Sequence, residues 1–190
     1  MSNLIDCQSW GRGSQNGAFN GLSPAADQDI EAIAALVNSA YRGRGGWTSE
    51  ADLVGGQRTS PTDLRRDLAA TPDALLLTLR ENADTPILGV VWLEPSTDGA
   101  WYLGMLTVRP DYQDRKIGRD LLAEAESHAA DLGATRLRMT VVSVRASLVA
   151  WYERRGYRRT GETQPFPYGD HRFGEPKRDD LEFVVLEKRL

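Results

Sequence analysis

Apolar positions along this chain fall into two rhythms, and the change from one to the other marks out its elements. After Asp27, the residues Ile30, Ile33, Ala34, Val37 and Ala40 recur at helical steps, giving one apolar face on a helix that ends near Tyr41. Leu75 to Arg80 and Ile87 to Leu93 are short apolar runs on either side of the polar turn ENADTP, which predicts an antiparallel hairpin. The run AWYLGMLTV, Ala100 to Val108, is apolar on both faces and reads as a central strand that Pro110 stops. Helical spacing returns with Ile117, Leu121, Leu122, Ala125, Ala129 and Leu132, and Gly133 closes that helix at its C-cap. Arg136 to Val142 alternates as a strand, Ala146 to Arg154 forms another helix before Gly156, and LEFVVLEKRL is a last strand. Strand, helix and strand in this order predict a right-handed βαβ crossover.

The remaining segments are less regular. A first strand is expected near Ala18 to Leu22 and a short helix near Thr62 to Ala69. The stretch RGRGGWTSEADLVGGQRTSP is too rich in Gly, Arg and Thr for a core element and reads as a functional loop or a mobile connection. Residues 1–17 are polar and glycine-rich without apolar periodicity, so they form a leader to a single domain over 18–190.

Composition removes several classes of function. A net charge of -4 argues against a surface built to neutralise many phosphates, so no nucleic-acid partner is expected. No apolar run has membrane length and the first residues lack a secretory pattern, which predicts a cytoplasmic chain without a membrane partner. The single cysteine, Cys7, excludes an internal disulfide and a cysteine-rich metal site, and no metal is expected. An anionic small ligand stays compatible, because it needs only a local basic cluster.

Such a cluster sits in VRPDYQDRKIGRDL, which joins the buried strand to the helix that begins at Ile117. The first N–H groups of a helix lack internal partners and lie at the positive end of its dipole. Gly118 lets an anion approach the backbone there, and Arg115, Lys116 and Arg119 add charge. No GxxxxGK[ST] pattern occurs, which sets aside a nucleotide-binding P-loop.

This segment resembles the acetyl-CoA signature of the GNAT superfamily of N-acetyltransferases. Gln113 matches its first position, Gly118 its last, and Leu121 with Leu122 the paired leucines that follow. Lys116 and Asp114 stand where that signature carries Gly. A second stretch, VVSVRASLVAWYERRGYRRTGE, is similar to a further GNAT segment: Tyr152, Glu153, Gly156 and Tyr157 match, and Arg145 takes the place usual for Asn. The resemblance implies an α/β (α+β) fold, a mixed twisted sheet of about seven strands with about four helices. That sheet is expected to split around the CoA site, between Ala100 to Val108 and Arg136 to Val142.

Function follows from the same resemblance. The backbone of Leu106, Thr107 and Val108 is expected to pair with the pantetheine arm of acetyl-CoA. Gln113, Asp114, Arg115, Lys116, Ile117, Gly118, Arg119 and Arg145 complete the expected cofactor site, and Arg154 with Arg155 reads as a solvated helix end. Tyr152 is expected to protonate the leaving thiolate, as the acetyl group passes directly to a primary amine of a small molecule in a ternary complex. The base is open among Glu94, Glu50, Glu162 and a water chain. Trp47 and Glu50 offer an aromatic face and a negative charge to the acceptor, a pairing that suits a cation. A homodimer stays open, and the alternative function is a non-catalytic acyl-CoA-binding module.

Overall fold

The computed structural model describes residues 21–47, 49–112 and 115–190. The leader, most of the expected first strand, Cys7, Gln113 and Asp114 lie outside the described residues. In chain order the elements are β1 (Leu22–Pro24), α1 (Ile30–Arg42), β2 (Val54–Gly55), α2 (Pro61–Ala70), β3 (Leu75–Leu79), β4 (Gly89–Pro95) and β5 (Ala100–Val108). They continue with α3 (Ile117–Asp131), β6 (Arg136–Val142), α4 (Ala146–Glu153), β7 (Arg158–Pro165), β8 (Glu175–Pro176) and β9 (Glu182–Arg189). Among the described residues no helix is long and apolar enough to cross a membrane.

Local chemistry accounts for the helix starts. Ser60 caps α2 by accepting the Asp63 N–H, with Pro61 in the first turn, whereas α1 has no side-chain cap and continues from a single turn, 27–29, that Asp29 closes by accepting the Ala26 N–H at 3.1 Å. Gly133 after α3 adopts φ +91°, the left-handed conformation expected of a residue that terminates a helix.

A seven-stranded mixed sheet has the order β1-β3-β4-β5-β6-β9-β7, in which only β5 and β6 run parallel. The α3 helix supplies the crossover between those two, as the strand–helix–strand pattern predicts. Side chains alternate across β3 to β5, and both faces of that half of the sheet are covered. Leu77, Leu79, Val91 and Leu93 pack with Leu121, Leu122 and Ala125 of α3, whereas Leu76, Val90 and Trp92 pack with Ile30, Ile33 and Val37 of α1 and Leu64 of α2. Cover on both faces explains the near-continuous apolar runs in β3 to β5. Each fully buried aliphatic side chain contributes about 1.5–3 kcal/mol of transfer free energy.

Three strands were not legible in the apolar pattern. Every residue of β7 is exposed, and its sequence RRTGETQP has no alternation to read; it is held by its pairing with β9. The β2–β8 ribbon has two residues on each side, yet it ties the loop after α1 to the segment before β9, helped by Lys177 N–H donating to Leu53 O at 2.9 Å. Gly174 makes this approach possible, since a Cβ there would meet Gly55 O at 2.5 Å.

Leu121 is fully buried over Gly89, whose missing side chain makes room for it: a Cβ at Gly89 would stand 2.9 Å from Leu121 Cδ2. Leu121→Ala is expected to destabilise the domain by about 2–5 kcal/mol in urea titration, with an unchanged denaturant slope. A loss below about 1 kcal/mol would show that α3 is not seated there.

Candidate functional site

The sheet opens where its parallel pair stops. Ladder pairing joins Ala100 to Arg136, Trp101 to Leu137 and Tyr102 to Arg138, and ends there. Beyond it the two strands part, while β4 continues along the other edge of β5 and β9 along the other edge of β6. The backbone of β5 from Leu103 onward therefore faces a gap with one edge unpaired by β6. A bulge re-aims this edge: between the pairs Trp92–Gly104 and Val90–Thr107, β5 has one residue more than β4. Met105 takes φ +53° there, and Thr107 Oγ1 donates to Met105 O at 2.8 Å.

One side of the gap is a cavity of about 560 Å³ running to the N-terminus of α3. Leu106 and Val108 line it together with Lys116, Ile117, Gly118 and Arg119. The Arg119 and Asp120 N–H groups donate to Lys116 O at 2.9 and 3.1 Å, which leaves the Ile117 and Gly118 N–H groups without a partner among the described residues. A Cβ on Gly118 would make only ordinary contacts, with Val108 at 3.7 Å and Trp151 at 3.8 Å, so the protein's own packing does not require glycine. The space beside that backbone is open to a ligand.

Arg154 and Arg155 both line this cavity; Arg154 is exposed, as expected of a solvated helix end, whereas Arg155 is half-buried. Arg155 lies 3.5 Å over the Trp151 ring and donates to Trp151 O at 2.7 Å, yet its buried Nε has no partner. Burial, then the like charges of Arg154 and Arg119, push its pKa down. Crowded cations beside N–H groups that lack partners among the described residues make this a place where an anion would be favoured. Arg115 stands outside it, stacked 4.8 Å over Tyr112.

On the other side of the gap is a second cavity, of about 640 Å³. Tyr41, Leu106, Arg145, Leu148 and Tyr152 line both cavities and form the junction between them. Tyr152 is 6% exposed, held edge-on between Trp151 and Tyr157 at 5.0 and 5.6 Å. Burial, then the neighbouring Tyr41, raise its pKa, so the phenol keeps its proton at neutral pH. Tyr41, absent from the sequence candidates, is raised by burial and then by Glu50.

Glu50 lines this second cavity, but its charge is already matched. Its two oxygens take Arg42 at 3.0 Å and Arg145 at 2.7 Å, and the three side chains are only 11%, 9% and 10% exposed in that order. A carboxylate between two guanidiniums presents no net negative field to an ammonium. Glu162 also lines the cavity and is paired with Arg138 at 2.6 Å. Glu94 lines neither cavity: its carboxylate accepts the Trp92 indole N–H at 3.1 Å, so it is not brought to the site. Trp47 lines the first cavity, 6.1 Å from Trp151, and not the second. The ion triad escaped sequence reading because its members are 8 and 95 positions apart.

Residues 50–167, more than half of the chain, match the family model described as an acetyltransferase (GNAT) domain. Solved structures share the fold. The chain resembles the PaiA N-acetyltransferase of Thermoplasma acidophilum in complex with coenzyme A at 19% identity and TM-score 0.65, over 89% of this chain and 98% of that one. It resembles the ribosomal-protein-alanine N-acetyltransferase of Brucella melitensis at 18% and 0.66, over 89% and 99%. A GNAT family acetyltransferase of Elizabethkingia anophelis with acetyl-CoA bound is similar at 18% and 0.57, over 74% and 90%. No curated protein sequence matches the chain.

Removing the shared carboxylate tests the triad. Glu50→Gln leaves two nearly buried guanidiniums facing each other, so stability should fall by about 3 kcal/mol in chemical denaturation. A change within about 0.5 kcal/mol would mean that water already solvates the pair.

Proposed function

We propose that this chain, which belongs to the GNAT acetyltransferase family, transfers an acetyl group from acetyl-CoA to a primary amine of a small molecule by direct attack. The observation that carries this reading is the meeting of two cavities at Tyr152, beside a strand edge that β6 leaves unpaired. Relatives of this fold solved with coenzyme A or acetyl-CoA support the choice of donor.

Acetyl-CoA supplies the activated thioester, and the chain's residues bind, orient and move protons. The Ile117 and Gly118 N–H groups, with Lys116, Arg119 and Arg155, hold the diphosphate. The edge of β5 that β6 leaves unpaired, at Leu106, Thr107 and Val108, takes the pantetheine arm as an added strand, with the Tyr41 hydroxyl giving up its 3.5 Å contact with Leu106 O where the arm needs that carbonyl. Arg145 faces the junction, where its pairing with Glu50 fixes its position. Gln113, Asp114 and Arg115 are the further members of the cofactor site that the family resemblance implies.

Tyr152 is the proton donor. A thiol has a pKa of about 8.5 and an unperturbed phenol about 10, so a buried phenol is a hydrogen-bond donor to the thiolate that holds its proton until the C–S bond lengthens. The amine must give up a proton as well. An α-amine with a pKa near 8 costs about 1.4 kcal/mol to deprotonate at neutral pH, against about 4.6 for a lysine-like amine.

Two measurements test this. Calorimetry of the double variant Lys116→Ala with Arg119→Ala should show acetyl-CoA binding weakened by about 2–3 kcal/mol, and an unchanged affinity would move the diphosphate elsewhere. Tyr152→Phe should lower kcat roughly tenfold to a thousandfold in a thiol-release assay, with acetyl-CoA affinity within about threefold. Wild-type turnover in that variant would make Tyr152 structural. Tight acetyl-CoA binding with no transfer to any amine would leave an acyl-CoA-binding module.

A further inference from the structure

The second cavity has an electrostatic character opposite to that of the whole protein. Four guanidiniums line it, those of Arg42, Arg58, Arg138 and Arg145, against the two carboxylates of Glu50 and Glu162. The chain as a whole carries -4. Arg42 and Arg145 share Glu50, and Arg138 takes Glu162, so each of the lining carboxylates is already committed.

Arg58 is the cation left over. Its guanidinium lies 5.7 Å over the Tyr41 ring and makes no ion pair or hydrogen bond among the described residues. Its position is built, not incidental. Asn38 of α1 accepts the Arg58 N–H at 2.6 Å and the Thr59 N–H at 3.3 Å, and donates to Thr59 O at 2.8 Å. A side chain of α1 thus clamps the backbone that carries Arg58, while Tyr41, one turn further along α1, supports the guanidinium from below. Tyr41 is also a wall of the junction, which brings this free cation to within one aromatic ring of the proposed transfer point.

Accepting the acetyl-transfer reading above, we infer that the acceptor is an amino acid with an apolar side chain, whose carboxylate is held by Arg58 while its α-amine meets the thioester at the junction. A guanidinium fixed over an aromatic ring presents its fork to a carboxylate in bidentate geometry, a pairing that is shorter and stronger than a neutral hydrogen bond. The far wall fits the rest of the molecule: Val54 and Phe166 are buried in a cluster that Phe173 and Phe183 complete, and all four line the cavity. In the transfer the N–C bond forms as the C–S bond breaks; the amine loses one proton and the departing thiolate gains one.

The test pairs L-phenylalanine, L-leucine and L-methionine with their α-amides, which lack the anionic group, at a pH high enough to deprotonate both amines, and follows thiol release from acetyl-CoA. The acids should be favoured in kcat/KM by at least about tenfold, and Arg58→Gln should shrink that preference to within about twofold. Equal use of acids and amides by the wild type, or the same preference in Arg58→Gln, overturns the inference. A binding arm keeps it separate from the reaction itself. With CoA present, calorimetry should show N-acetyl-L-phenylalanine bound at least about tenfold tighter than its amide by the wild type and not by Arg58→Gln. Absence of that selectivity in the wild type, or its persistence in Arg58→Gln, again overturns the inference. Selective binding without thiol release from any amine counts against acetyl transfer alone and leaves the carboxylate site standing.

Discussion

A parallel ladder that stops after Tyr102 is the constraint on which the rest of this protein depends. Backbone N–H and C=O groups need partners, and a strand in the middle of a sheet ordinarily finds them on both sides. Here β5 keeps β4 on one side and loses β6 on the other, while the bulge at Met105 turns the freed edge into the gap. Packing makes the opening stable: α3 covers one face of β3 to β5 and α1 with α2 the other, so the strands are held from above and below where they are not held sideways. The unpaired edge is thus bought with a two-faced core.

Charge is distributed to serve the same opening. Lys116 and Arg119 at the start of α3, with Arg155 from beyond α4, surround N–H groups that have no partner among the described residues, and burial first, then its cationic neighbours, lower the pKa of Arg155. At the junction the order is reversed, because Glu50 cancels part of the charge of Arg42 and Arg145 and so lets both stay nearly buried. The overall acidity of the chain describes its outer surface and neither of these places.

Much of this was legible before any coordinates. The helices of 3.6-residue period, the hairpin of β3 and β4, the central strand Ala100–Val108 and the βαβ crossover all follow from apolar spacing, because each buries a face. The turn at Lys116 to Arg119 and the place of Tyr152 on a helix were legible from local motifs, since both are set by neighbours in sequence. What escaped was whatever depends on partners far along the chain. β7 buries nothing, so it leaves no period; the β2–β8 ribbon is too short to leave one. Glu50 read as a free anion because neither Arg42 nor Arg145 announces its partner, and Glu94 read as a site residue because strand ends near a predicted gap look alike until Trp92 is seen to occupy the carboxylate.

The place of β9 has a consequence for how the molecule is made. In the sheet it lies between β6 and β7, although it follows both in the chain. During synthesis from the N-terminus, β7 emerges with no neighbour to hydrogen-bond, and β6 waits with one edge bare. Only when residues 182–189 leave the ribosome do the two acquire their shared partner, in a single insertion. The half of the sheet beyond the gap therefore closes last in chain order, and the nascent chain passes through a stage in which two open strand edges are candidates for capture by other chains or by chaperones.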